Sequence, residues 1–118
     1  MERMEKRSER MMPHENVGNE REREVRESAA RKILRLDSQR FDRIVNSRPD
    51  AMEQRRSDLL RIARALAILV PRSDGPASWI RARNSANIFQ GKSAIELLES
   101  DPSALKRIRC YLEAEIHR

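Results

Sequence analysis

The sequence predicts an all-α fold: a small helical domain with a compact C-terminal helix–loop–helix unit, preceded by a disordered or loosely helical N-terminal tail. Three observations predict it. The chain holds 3 Gly and 5 Pro, too few for the tight turns of an all-β protein. Valine is scarce while Arg, Glu, Leu and Ala abound, a composition that favours helix. Apolar residues also recur at spacings of three and four in several segments, the period of one helical face.

Taken in order, residues 1–20 are nearly all polar and broken by Asn16, Pro13 and Gly18, so they read as a disordered tail. A helix is expected from about Glu20, with Val25, Ala29, Ile33 and Leu36 along one stripe and Ala30 and Leu34 beside it. Asp37 is placed to cap a second, shorter helix carrying Phe41, Ile44 and Val45 on a shared face. Asn46 to Asp50 is a turn, because Pro49 disfavours helix at Arg48. The strongest helix of the first half runs from Ala51 to Val70, with Leu59, Ile62, Ala63, Leu66 and Leu69 on one face. Leu60, Ala67 and Val70 widen that face, so this helix is expected to be central and buried on more than one side. Arg55, Arg56, Arg61 and Arg64 are left for water or a partner.

Pro71 ends that helix, and Pro76 is expected in the first turn of the next, which carries Trp79. The string from Arg81 to Lys92 is too polar and turn-prone for a helix, yet it contains Ile88 and Phe89, and a loop aromatic folds back onto neighbouring helices. Ser93 and Glu96 form the pattern of a capping box. Asp101 and Pro102 read as N-cap and first residue of a last helix, on which Leu105, Ile108, Leu112 and Ile116 make an apolar stripe. Trp79, Phe89, Leu98 and Leu112 are the expected core of this unit. The chain divides accordingly into a tail at 1–20, a helix pair at 21–50, and a central helix with the C-terminal unit at 51–118.

Charge and chemistry narrow the function classes. Residues 33–72 hold 9 Arg against 5 acids, so most of the net charge of +6 lies in the middle third. Arginine's planar fork suits phosphate and carboxylate alike, which allows DNA or an acidic protein surface. The two helices meeting at Leu36-Asp37-Ser38 have the outline of a helix-turn-helix, although Arg31 and Arg35 stand where a small residue and a Gly are usual. Two readings stay open: the pair shelters the core or forms a homodimer contact, or it is a degenerate DNA-binding unit. In the second reading Arg40, Arg43 and Arg48 would meet phosphates, and Gln39 and Asn46 would reach base edges.

No catalytic constellation or phosphate-cradling Gly-rich loop is present, so a non-enzyme without cofactor is expected. Cys110 and His117 are too few to make a metal site, and Cys110 is expected as a small core residue beside Ile108 and Leu112. A single Cys also fits a reducing, cytoplasmic compartment. The longest apolar run, Ala65 to Val70, is far short of a membrane span.

The order of Trp79, Ile80, Arg81 and Asn84, then Ile88, Phe89, Gly91, Lys92, Ser93, Ala94, Ile95, Leu97 and Leu98, then Leu105, Ile108, Arg109, Tyr111, Leu112, Glu113 and Ala114 resembles a known pattern. It is similar to the toxin-binding domain of the Xre/MbcA/ParS antitoxins, with Arg83 where that family often has Pro. The resemblance implies a bacterial antitoxin that neutralises a cognate toxin, commonly of the RES type. It further implies that the last helix and its end, Leu112, Glu113, Glu115, Ile116, His117 and Arg118, meet the toxin. Family antitoxins often also repress their own operon, so operator DNA is a second expected partner. The alternative is a transcriptional regulator whose C-terminal unit only dimerises.

Overall fold

The computed structural model describes residues 20–118, and it is all-helical. Helix α1 covers 20–34, α2 Ser38–Asn46, α3 Met52–Leu69, α4 Gly75–Arg81, α5 Ala94–Ser100 and α6 Ala104–Ile116, with 3-10 turns at Pro49–Ala51 and Asn87–Phe89. The expectations for residues 1–19 lie outside the described residues.

Each boundary has a local cause. Helix α1 ends in a Schellman motif: Leu36 N–H reaches the Arg31 carbonyl at 2.9 Å and Arg35 N–H reaches Lys32 at 3.3 Å. Arg35 takes the left-handed conformation this requires, at φ 55°. Asp37 then caps α2, accepting from Arg40 N–H at 2.8 Å. Arg48, before Pro49, is extended, and the Pro49 turn leads into α3. Gly75 is needed where α4 turns against the end of α3, because a Cβ there would lie 2.3 Å from the Val70 carbonyl oxygen.

Helix α3 is the centre of the fold, packing most extensively on α6 and also on α2 and α4. Leu59, Ile62, Ala63 and Leu66 are buried as the apolar face predicts, but the face is widened by Ala65, Asp58 and Arg55, whereas Leu60, Ala67 and Val70 are only partly buried. One continuous core joins Leu34 of α1, Phe41 and Ile44 of α2, Leu66 of α3, Phe89 of the loop and Leu112 of α6. The segments 21–50 and 51–118 therefore share their apolar interior.

Four sequence expectations are corrected here. On α1 the buried residues are Ala30 and Leu34, while Val25 is 67% exposed and Ala29 is exposed, so the core takes the neighbouring stripe. Arg55 is 5% exposed rather than free for solvent: its Nε donates to the Ile44 carbonyl at 2.9 Å and its Nη1 to Pro102 at 2.6 Å. Helix α6 starts at Ala104, not at Pro102. Asp101 instead folds its carboxylate over the turn, accepting from Ser103 N–H at 3.0 Å and Oγ–H at 2.8 Å, while the Pro102 carbonyl is taken by Arg55. Cys110 is exposed, because two residues on from Ile108 rotates it about 200° away from the buried stripe.

Candidate functional site

The C-terminal unit is organised by Phe89. The loop that carries it is closed by an isolated bridge between Arg83 and Ser93 and by Asn84 N–H donating to Lys92 carbonyl at 3.2 Å. Asn84 Oδ1 accepts from Ala86 N–H at 2.9 Å, turning the chain into the Asn87–Phe89 turn. Gln90 and Gly91 follow at φ 53° and 78°, reversing the chain so that Lys92 N–H returns to Phe89 carbonyl at 2.8 Å. Two left-handed residues in succession explain the Gly at 91. The result drives the Phe89 side chain inward until none of it is exposed.

There Phe89 meets Trp79 of α4 and Tyr111 of α6 edge-on, with ring centroids 5.7 and 5.5 Å apart. Such T-shaped pairs contribute about 0.5–1.5 kcal/mol each beyond area burial. Leu98 and Leu112 are buried as expected, whereas Trp79 is only partly buried. Tyr111 was the missing member of the expected core; its position three residues after Ile108, on the flank of the apolar stripe, is the sequence signal for it.

Helix α5 is held at its start by the capping box. Ser93 Oγ accepts from Glu96 N–H at 3.2 Å, and the Glu96 carboxylate accepts from Ser93 N–H at 2.9 Å. The Ser93 backbone and hydroxyl hydrogen bonds hold the Glu96 carboxyl below the usual range, helped by Arg83 and Lys92. Arg81 reaches back to α1, donating to the carbonyls of Leu34 at 2.9 Å and Arg35 at 2.7 Å. A cation at those orphan carbonyls complements the helix end.

The expected toxin-facing residues divide into a fixed part and a more exposed part. Leu112 is core and offers no surface. Glu113 is clamped, accepting from Arg61 Nε and Nη2 at 2.8 Å each and from Arg109 Nη1 at 2.9 Å. Burial pushes the Glu113 carboxyl upward, but the hydrogen bonds and charges of Arg61 and Arg109 outweigh it and hold the pKa below its ordinary value. Ile116 packs against the core edge, Glu115 pairs with Arg118 at 3.1 Å, and His117 and Arg118 are exposed beyond the last helical residue.

The expected DNA-facing residues are less available than the sequence suggests. Gln39, Arg43, Asn46 and Arg48 are exposed, but Arg40 is half-buried and ion-paired with Glu99 of α5. Arg43 leans on the same carboxylate at 3.7 Å and Arg48 lies 3.7 Å from Asp50. Glu99, fifty-nine positions from Arg40, carries no sequence signal for this role. Among the described residues no group of three His, Cys, Asp or Glu side chains is placed to hold a metal ion, and no helix is long and apolar enough to cross a membrane. Comparison of the chain with family models, curated proteins and solved structures gave no match.

Proposed function

We propose that this protein is a cytoplasmic antitoxin, a non-enzymatic module that binds and masks a cognate protein toxin through the end of its C-terminal helix. The observation that carries the reading is the convergence on Phe89. The three sequence blocks that resemble the Xre/MbcA/ParS pattern supply Trp79, Phe89 and Tyr111, and those rings pack into one unit. Their packing supports reading the three blocks as one structural unit.

The residues that follow the Glu113 clamp suit a masking role. Helix α6 is anchored by Leu112 and Glu113, so Glu115, Ile116, His117 and Arg118 are presented from a rigid base, which lowers the ordering cost of binding. The DNA-binding regulator ranks second, because Arg40 and Arg43 already share Glu99.

The test is co-expression with the protein encoded by the adjacent reading frame. Deleting Glu115 to Arg118 should leave the thermal melt close to that of the full chain and abolish protection of the cells. Full protection by the truncated chain would refute the reading.

A further inference from the structure

Helices α1 and α3 are bridged at one end by the ion pairs Arg23–Glu53 and Arg56–Glu27, and beyond these they do not close on each other. Between them runs an open trough of about 1170 Å³, floored by Ala29, Ala30, Ile33, Leu60, Ala63 and Ala67. It continues past Ile33 and Ala67 to Val70, Pro71 and Pro76. From Ser57, past those bridges, to Ala67 the α3 wall spans about 15 Å at the helical rise of about 1.5 Å per residue. The two large hydrophobic residues exposed among the described residues belong to these helices, Val25 at 67% and Ile68 at 53%. By helical spacing Val25 shares a stripe with Glu22 and Ala29, and Ile68 shares one with Arg64, so both stand on the margins of the trough.

Charge selects the occupant. The trough and its continuation are lined by Arg23, Arg26, Arg56, Arg61, Arg64 and Arg72 against Glu20, Glu22 and Glu53, with Arg56 already paired to Glu27 and Arg61 to Glu113. The three acids sit toward one end, where Glu22 and Glu53 pair with Arg26 and Arg23. At the other end no acidic residue lines the walls, and Arg64 and Arg72 make no ion pair among the described residues. A second copy laid parallel would bring like arginine-rich ends together, and an antiparallel copy is the competing occupant that sedimentation separates from a peptide partner. A concave trough also fits a cylinder better than a flat lipid surface.

We propose that the α1–α3 trough is a docking groove for an acidic amphipathic helix of a partner protein. The helix would seat apolar residues spaced three and four apart on Leu60, Ala67 and Ile33, between Val25 and Ile68. Its carboxylates would face Arg64 and Arg72. This surface is separate from the α6 end and does not depend on the antitoxin reading.

The full chain should be titrated by calorimetry with a helical peptide of about sixteen residues, roughly four turns. The peptide carries Leu at i, i+3, i+4 and i+7 and Glu elsewhere; one control is its scramble and another replaces Glu by Lys. The patterned acidic peptide should bind at least about tenfold more tightly than either control. Ala67→Glu, which places a charge on the floor, and Arg64→Glu, which inverts the margin, should each weaken it about tenfold while the melt is retained. If Ala67→Glu fails to fold, Arg64→Glu alone decides. Equal binding of patterned and scrambled peptides would overturn the proposal. So would a chain that sediments as a dimer dispersed by Arg64→Glu, or one that binds anionic vesicles but not the peptide.

Discussion

Arg61 of α3 and Glu113 of α6 form a two-pronged ion pair, with both N–O distances at 2.8 Å, across the largest helix–helix contact of the fold. Glu113 also accepts from Arg109, whose Nε lies 2.8 Å from the Asp58 carboxylate, so four side chains stitch α3 to α6. The Arg109 Nε–H is not aimed at Asp58, and that contact is charge attraction rather than a directed hydrogen bond. Burial opposes the Arg109 charge, but Glu113 and Asp58 together more than compensate, and its pKa is raised.

The clamp makes stability depend on acid. The Glu113 pKa is lower folded than its ordinary 4.5, so its contribution is full above that value and is lost as pH falls through the folded pKa. Urea melts of the native chain should therefore lose stability more steeply below the ordinary carboxylate range than those of Glu113→Gln. Parallel pH profiles for the two chains would contradict this.

Asp58 is 4% exposed and also accepts from Gln54 at 3.1 Å. Asp58→Ala removes one of the two acids that hold the Arg109 guanidinium, and also the charge that favours Arg55, whose pKa burial and Arg48 lower. A loss of about 3–5 kcal/mol in a denaturant melt is expected. The pair replacement Asp58→Leu with Arg109→Leu should cost less than the sum of the single changes.

Phe89→Ala should cost about 3–5 kcal/mol, since the ring is fully buried and its removal orphans two edge-on aromatic contacts. Tryptophan emission should shift to the red as Trp79 loses its neighbour. A loss below about 0.5 kcal/mol would mean the loop does not anchor the unit.

Arg35→Gly should stabilise the chain by about 1 kcal/mol, because Arg35 holds the left-handed position of the Schellman motif, where a Cβ is unfavourable. The carbonyl that Arg81 binds is backbone and survives the change. Thermal denaturation measures it, and an unchanged or lower midpoint would refute the assignment of strain. The opposite sign is expected for Ser93→Ala, which removes the α5 cap and should cost about 1 kcal/mol.

Sequence alone determined the features that rest on short-range chemistry. Asp37 and Ser93 cap their helices because each acceptor sits three residues before the N–H it meets. The buried faces of α3 and α6 follow from the period of Leu59, Ile62 and Leu66 and of Leu105, Ile108 and Leu112. Phe89 was legible as an anchor because an aromatic in a polar loop has few other uses. Tertiary structure decided what depends on neighbours distant in the chain. Ala30 and Leu34 are buried on α1 in place of Val25 and Ala29 because two adjacent stripes are both apolar and only the position of α3 chooses between them. Arg55 is buried because the end of α2 and the turn before α6 happen to offer carbonyls on either side, a pairing across eleven and forty-seven residues that no periodicity encodes. Glu99 draws Arg40 off the α2 surface for the same reason: attraction between charges is set by distance in space, and the sequence gives only distance along the chain.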